Sequence, residues 1–384
     1  MAELPVAFYT PVKHPAEPEA SGDREIARSL LRALAACGYA PELASRLLTW
    51  RRRFDPEEAV RLERRAAVVA AGLVRRYRRR PAAARPRLWV SYQSYYRAPD
   101  LVGPVVATAL DVPYVLIDAA LSRASRRTPF RPWVSAARLA VRRADLLFAM
   151  SPRDVPRLAA IRPAPGAERL RLLPTAVDVS RYEADPAVRA RHRAALAARL
   201  GSGDAPLLLC VAMMRAADKL DSYRLLAEAL AGTPGPWRLV VVGDGPARPQ
   251  VEAALACLPA GRVSLLGALD PAVLPSVYLA ADCFVFPGLG EALGLVYLEA
   301  AAAGLPVVAC AGPGPAATVA PAGGLLTEPR APALAAAVRD LLEDPARRAA
   351  LGEAARRFVV AERSQAALER RLAAGLAVLG NDRP

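Results

Sequence analysis

Short apolar runs alternate along this chain with longer stretches whose apolar positions recur every three to four residues, the signature of strands alternating with helices. LPVAFYT (4–10) predicts a buried first strand, and the polar loop PVKHPAEPEASGD follows it. REIARSLLRALAACGY (24–39) has helical spacing with Gly38 near its end, and APELAS resumes as a short strand. Strand, helix and strand in that order predict a βαβ opening and a parallel sheet. A long, very basic helix is predicted over 57–80, a strand at RLWVSY (87–92), and a helix, turn and strand within PDLVGPVVATALDVPYVLI (99–117). ADLLFAMS (144–151) and RLRLLPTAVD (169–178) supply further strand segments.

The pattern then restarts. RHRAALAARLGSGD is charged and helical, and APLLLCVAM (205–213) begins a second series. It continues with a helix near 221–231, the strand WRLVVVGDG, a helix at 247–257, the strand RVSLLG, a helix at 271–281 and the strand DCFVFPG. A further helix and strand end in PVVAC, GGLLTE (323–328) is a last short strand, and 330–380 reads as helical. Two α/β units in tandem, each with a parallel sheet, are the predicted fold class; no short-period repeat is present.

Composition sharpens this picture. The 384 residues suffice for two ordinary domains, and a hydrophobic content of 54% suffices for their cores. Positions 1–200 carry 36 basic and 19 acidic residues, whereas 201–384 carry 16 and 18. A cationic half implies an anionic partner such as nucleic acid, lipid head groups or a phosphorylated substrate, although lysine is so scarce that compositional bias accounts equally well for most of the arginines. Five cysteines without a C-x-x-C pair argue against a disulfide framework, and two histidines argue against zinc; a reducing cytoplasm fits best. No apolar run reaches the roughly 20 residues that span a bilayer, and no signal-peptide pattern opens the chain.

The most informative segment is GLGEALGLVYLEAAAAGLPVV (288–308), which places Glu291 and Glu299 among small apolar residues. Charge is retained in such a setting when it is paired or used. Pro287 and Gly288 end a buried strand at the carboxyl edge of the sheet, where ligands of open α/β sheets bind. Glu291 lies in the loop beyond, and a helix is predicted to start near Leu293 or Gly294, so the N–H groups of Leu293, Gly294, Leu295 and Val296 can receive a phosphate. Gly294 admits a close approach to the backbone. Carboxylates beside phosphate must accept from neutral hydroxyls, which reads as a nucleotide carrying a polyhydroxylated group. The alternative is that one glutamate caps the helix and the other faces solvent. Gly243 and Gly245 in VVVGDGP form a turn on the same edge, and Arg215 and Lys219 follow the first strand of the unit, suited to neutralising a departing diphosphate. A tight turn and solvated loop charges are the plainer readings of these residues.

Together these residues resemble the retaining GT-B glycosyltransferases of family 4, over most of the chain and most strongly over 205–330. Glu291 and Glu299 look like the family's E-x7-E motif, within P-x3-E-x2-G-L-V-x-L-E-A-x3-G-x-P-V-V; GDGP, LPTAVDVSRY (173–182) and Gly22 before an amphipathic helix also match. The resemblance implies two Rossmann-like parallel-sheet domains facing across a cleft: an acceptor-binding domain over 1–180, a linker over 181–204, a nucleotide-sugar domain over 205–355, and helices over 356–384 returning to the first domain. It implies that Glu291 contacts the donor sugar, that Glu299 contacts the ribose, and that Arg215 and a lysine grip the diphosphate without a metal. The implied reaction moves a sugar from a nucleotide diphosphate sugar to a hydroxyl with retention, the leaving phosphate taking the acceptor's proton.

The chain departs from the family pattern in three places. Lys219 stands four residues after Arg215 rather than five, Asp118 in YVLIDAALS stands where a histidine is common, and Gly288 replaces a frequent serine, a change expected to matter little. Gly22, Asp118 and Tyr95 are the expected acceptor-side residues, Tyr95 from the tyrosine-rich SYQSYYRAPD. The basic helix, with Val68, Val69, Leu73 and Val74 among its arginines, and the arginines at 123, 126, 127, 142 and 143 suit a lipid-phosphate acceptor or peripheral contact at the inner face of the plasma membrane; a solvated helix packed on its apolar side is the equal alternative. A glycan or lipid-linked acceptor and a cytoplasmic setting are therefore expected, with nucleic acid not expected because no binding motif for it appears. A nucleotide-sugar epimerase of the same fold, or a non-catalytic sugar-nucleotide-binding protein with a displaced Lys219, are the rival readings.

Overall fold

The computed structural model describes residues 3–19, 21–120, 128–161, 169–182 and 185–380. The chain divides into two compact units, Met1–Thr175 with Leu368–Pro384, and Ala176–Ala367. Arg123, Arg126 and Arg127 lie outside the described residues.

In the first unit six strands pair in parallel: β1 (Leu4–Tyr9), β2 (Tyr39–Leu43), β3 (Leu88–Tyr95), β4 (Tyr114–Ala120), β5 (Leu146–Ala149) and β6 (Leu170–Leu172), in the spatial order β2-β1-β3-β4-β5-β6. Their apolar runs are buried on both faces, as parallel sheets require. Val6, Ala7, Phe8, Trp89, Val90, Leu116, Ile117 and Leu147 are all fully buried. The order reverses between β1 and β3, and open α/β sheets bind ligands at such a switch point.

The second unit repeats the plan with β7 (Leu207–Val211), β8 (Arg238–Val242), β9 (Val263–Gly267), β10 (Cys283–Val285), β11 (Val307–Cys310) and β12 (Leu325–Thr327), ordered β12-β11-β10-β7-β8-β9. All its pairs are parallel, and its switch point lies between β7 and β10. Residues 181–204, expected as a linker, contain the helix Pro186–Leu200. Asp185 caps its start at the Ala187 N–H (2.7 Å) and Gly201 closes it in the left-handed region. Arg193 bonds Asp282 beside β10, so this helix belongs to the second unit. Residues 356–367 also stay with the second unit, and only Leu368 onward joins the first, where Leu372 and Leu376 are buried.

The basic helix runs from Pro56 to Arg78, and Asp55 caps it by accepting from the N–H groups of Glu57 and Glu58 (2.9 and 3.0 Å). Its apolar side is largely consumed by the core: Leu73 is buried and Val69 and Val74 pack against the core, while Val68 and Val60 stand out at 70% and 47% exposure. The sequence reading passed over the helix Arg131–Arg143, whose Trp133, Ala137, Ala140 and Val141 are buried. No described helix is long and apolar enough to cross a membrane.

Asp100 is 2% exposed and ties the first unit together. Its carboxylate accepts from the Ser91 and Tyr114 hydroxyls (2.5 and 2.7 Å) and from the N–H groups of Val102 and Gly103 (3.0 and 2.7 Å), joining β3 and β4 to the start of the helix Gly103–Leu110. Asp100→Ala would strand four buried donors, so a loss of about 3–5 kcal/mol in urea denaturation is expected.

Candidate functional site

The loop after β10 is built on left-handed glycines. Gly288, Gly290 and Gly294 have φ of +66°, +68° and +66°. A Cβ on Gly288 would overlap the Tyr297 hydroxyl, one on Gly290 would overlap the Asp218 carboxylate, and one on Gly294 would lie 2.7 Å from the Tyr297 ring. A serine at 288 would therefore strain this backbone and press on the Tyr297 hydroxyl. Gly294 makes room for the protein's own Tyr297 and Thr318.

Three hydrogen bonds pin this loop. The Leu289 N–H donates to Ser222 Oγ (3.0 Å), the Ser222 hydroxyl donates to the Asp218 carbonyl (2.7 Å), and the Gly314 N–H donates to the Glu291 carbonyl (3.0 Å). The helix Asp218–Ala231 thereby holds the loop after β10 beside the loop after β7, across the switch point. Lys219 Nζ lies 2.7 Å from Glu291 Oε2 and 4.8 Å from the centre of the Phe286 ring. The four-residue spacing from Arg215 thus still brings the lysine to the glutamate. Arg215 is exposed and has no ion pair among the described residues; its Nη2 lies 3.1 Å from Met213 Sδ.

Burial pushes the Glu291 carboxyl up. Lys219, together with the N–H groups of Gly294 and Leu293, outweighs burial and holds the carboxyl below the ordinary range. The Gly294 N–H, just before the helix, donates to Oε1 at 3.3 Å. Of the four amides expected to receive a phosphate, those of Leu293 and Gly294 are thus turned to Glu291. Those of Leu295 and Val296, in the first turn of the helix Leu295–Ala302, have no acceptor among the described residues. Glu299, on the same helix, accepts from the Tyr278 hydroxyl at 2.9 Å, and Tyr278 is itself fully buried. It is half-buried rather than turned to solvent.

Gly243 and Gly245 have a nearer purpose than ligand contact. Added Cβ atoms would overlap the carbonyls of Ala212 and Met214, whose loop is stitched to theirs by Met214 N–H to Asp244 carbonyl (2.9 Å) and Ala247 N–H to Met214 carbonyl (3.0 Å). The G-x-G turn therefore positions the segment that presents Arg215. Nothing in the sequence flagged Ala217, which has φ +63° without being glycine.

The first unit gathers Gly22, Asp118 and Tyr95 at one sheet edge. Gly22 opens the helix Gly22–Ala36, behind Ser21 and Asp23, which both accept from Lys13 Nζ (2.7 and 2.6 Å). Gln93 Nε2 donates to Asp23 (3.1 Å) and to Asp118 (3.4 Å). Gln93 and Asp118, on neighbouring strands, both have left-handed φ, +70° and +61°. Such residues cost about 1–3 kcal/mol each and concentrate where geometry serves function. Burial, with Asp154 and Asp23 nearby and Gln93 opposing, raises the Asp118 carboxyl to about 7. Burial chiefly, with a smaller push from Asp23, raises Tyr95 to about 12. Sequence reasoning missed Lys13, Tyr92, Gln93 and Tyr278; no motif marks them. Among the described residues no cluster of histidine, cysteine, aspartate or glutamate is arranged to hold a metal ion.

Residues 198–358 match the family model described as "Glycosyl transferases group 1". The chain is 35% identical over 199 residues to a GDP-mannose-dependent alpha-(1-6)-phosphatidylinositol monomannoside mannosyltransferase of Mycolicibacterium smegmatis, covering 49% of this chain and 51% of that one. It is 34% identical over 261 residues to a 2-deoxystreptamine glucosyltransferase of Streptomyces kanamyceticus, covering 64% and 65%. The chain spans about half the length of the mannosyltransferases it matches. A sucrose-phosphate synthase of Thermosynechococcus elongatus superposes with a TM-score of 0.76 at 21% identity, over 99% of this chain and 100% of that one, which shows the fold.

Two stability outcomes follow from this geometry. Ala217→Gly should stabilise the protein by about 1 kcal/mol, and Gly288→Ala should destabilise it by about 2 kcal/mol or more, both read by chemical denaturation. Asp118 is raised above its unfolded value, so its folded form prefers the proton. Its contribution is complete below about pH 4 and is lost as pH rises through about 7. Stability measured from pH 4 to pH 8 should fall by roughly 2–4 kcal/mol from this group, and Asp118→Asn should flatten the profile by that amount.

Proposed function

We propose that this chain, whose residues 198–358 match the glycosyl transferases group 1 model and whose two Rossmann-like units have the GT-B fold, transfers a sugar from a nucleotide diphosphate sugar to a hydroxyl with retention of configuration. One observation supports this above all. Lys219 and Glu291 meet across the switch point of the second unit, beside two helix amides with no acceptor among the described residues. In this reading the Leu295 and Val296 amides, Lys219 and Arg215 stabilise charge on the β-phosphate as it leaves. Glu291, held ionised, accepts from hydroxyls of the donor sugar, and Glu299 accepts from the ribose. The bond from the anomeric carbon to the phosphate oxygen breaks, the acceptor oxygen bonds that carbon, and the acceptor's proton passes to the leaving phosphate. No metal has a role in this scheme.

The first unit is proposed to receive the acceptor, a glycan or a lipid-linked species, through Gly22, Asp118 and Tyr95. A cytoplasmic setting with peripheral membrane contact is part of the same proposal. It is supported by the arginines of the helix Pro56–Arg78 and by an open groove of about 480 Å³ lined by Ala67, Ala71, Val74, Leu101, Val105 and Ala109 together with Glu63 and Arg75. The mannosyltransferase relatives make GDP-mannose the first donor to try.

The test is donor binding by thermal shift, followed by turnover read as nucleotide release. GDP or another nucleoside diphosphate should raise the melting temperature, and Glu299→Ala should weaken that shift. Lys219→Ala should lower kcat by about 10²-fold, the scale of losing one charge-stabilising group. An inverted product overturns retention. Sugar-nucleotide turnover without transfer favours the epimerase, and binding with no turnover favours the non-catalytic protein.

A further inference from the structure

The polar nest of the first unit has a chemistry that the transferase reading leaves unspecified. It presents the carboxylates of Asp23 and Asp118, the Gln93 amide and the Tyr92 hydroxyl. The one cation bonded into it, Lys13, is already held by Asp23 and Ser21. Among the described residues Asp118 has no ion pair, and its one hydrogen bond, from Gln93, is long at 3.4 Å. Asp154, whose charge reaches Asp118, is itself paired with Arg157 at 3.5 Å. Tyr92 is 1% exposed, and its hydroxyl has no hydrogen-bond partner among the described residues, although Asp118 and Asp23 both lie within electrostatic reach of it. A buried unpartnered hydroxyl is rare in a folded protein and calls for an explanation.

Among the described residues these groups are rich in acceptors, and with Asp118 ionised they carry one negative charge more than Lys13 balances. A neutral hydroxyl would satisfy an acceptor but leave the Asp118 charge uncompensated. A protonated amine would do both, through charge-assisted hydrogen bonds. The left-handed backbone at Gln93 and Asp118 turns two residues of neighbouring strands into one polar nest instead of a regular sheet edge. Lysine is also sparse, with two lysines against fifty arginines, and both follow a switch-point strand, Lys13 in the loop after β1 and Lys219 at the start of the helix Asp218–Ala231 after β7.

We propose that the nest formed by Asp118, Asp23, Gln93 and Tyr92 binds a protonated amine, so that the hydroxyl acceptor of this chain is an amino-polyol, an amino sugar or aminocyclitol. This rests on the transferase reading only in taking the bound amine for the acceptor. Asp118 and the Tyr92 oxygen accept from the ammonium, while Lys13 keeps Asp23 neutralised and in place. Bound amine favours ionised Asp118, so affinity rises as pH increases through about 7 until the amine itself loses its proton.

The experiment is calorimetric titration of the full chain at pH 7.5, with GDP present, by glucosamine against glucose and scyllo-inosamine against scyllo-inositol. At least one amine should bind tenfold or more tightly than its hydroxyl counterpart. Asp118→Asn should bring the two within twofold of each other while GDP affinity stays unchanged. Tyr92→Phe should weaken the amine several-fold yet leave the melting temperature equal or higher, because the deleted hydroxyl satisfies nothing in the free protein. Equal affinity within both pairs, no binding of any of the four sugars and cyclitols, or an amine preference that survives Asp118→Asn overturns the proposal. Loss of GDP binding in the wild type would instead count against the transferase reading, and the amine comparison would still decide the nest.

Discussion

The second unit is organised around one ion pair at the place where its strand order reverses. Lys219 leaves with the helix after β7, Glu291 lies in the loop after β10, and these two strands are neighbours only at the switch point. Both side chains are largely buried, with 24% and 19% of their surfaces exposed. Taking them out of water is costly, and the Coulomb gain repays it only when the remaining lone pairs are also satisfied. That is what the loop supplies: Glu291 takes the Gly294 amide on one oxygen and Lys219 on the other, and the Phe286 ring lies under the ammonium. Left-handed turns at Gly288 and Gly290 lead the loop into Glu291, and a third at Gly294 accompanies the amide that Glu291 accepts.

The same pair sets what remains available. A helix start offers several free amides, and Glu291 uses two of them, leaving those of Leu295 and Val296 for an anion. A carboxylate kept ionised beside an anion site would repel that anion if it stood alone. Lys219 cancels its charge, so the region stays receptive to phosphate while Glu291 keeps acceptor capacity for hydroxyl groups.

How much of this was legible in the sequence depends on which physical signal each feature leaves. The strands announce themselves as apolar runs such as LLLCV and LVVV, because parallel strands are buried on both faces. Glu291 and Glu299 stood out because charge in an apolar setting needs a partner, and both partners, Lys219 and Tyr278, exist. The identity of a partner such as Tyr278 was not legible, since tyrosine in a helix reads equally well as core. Gly243 and Gly245 show what such a signal leaves open: a glycine marks a close approach without saying whether ligand or backbone approaches, and the carbonyls of Ala212 and Met214 already require glycine at both positions. The apolar residues of the basic helix are ambiguous in the same way, because Leu73, Val69 and Val74 serve the core while Val60 and Val68 stay on the outside.

Backbone strain falls at both candidate sites without reference to any motif. Among the described residues four that are not glycine have positive φ: Gln93, Asp111, Asp118 and Ala217. Asp111 closes the helix Gly103–Leu110, where a left-handed residue is ordinary. The other three have no such excuse. Ala217 immediately precedes the helix that carries Lys219, and Gln93 and Asp118 join two strands beside Asp23. Regular sheet or helix geometry was accessible to all three residue types, and each left-handed turn costs stability. Strain that is retained in three places, all of them at the carboxyl edges of parallel strands and beside the two lysines of an arginine-rich chain, is most simply explained as the cost of aiming side chains at ligands.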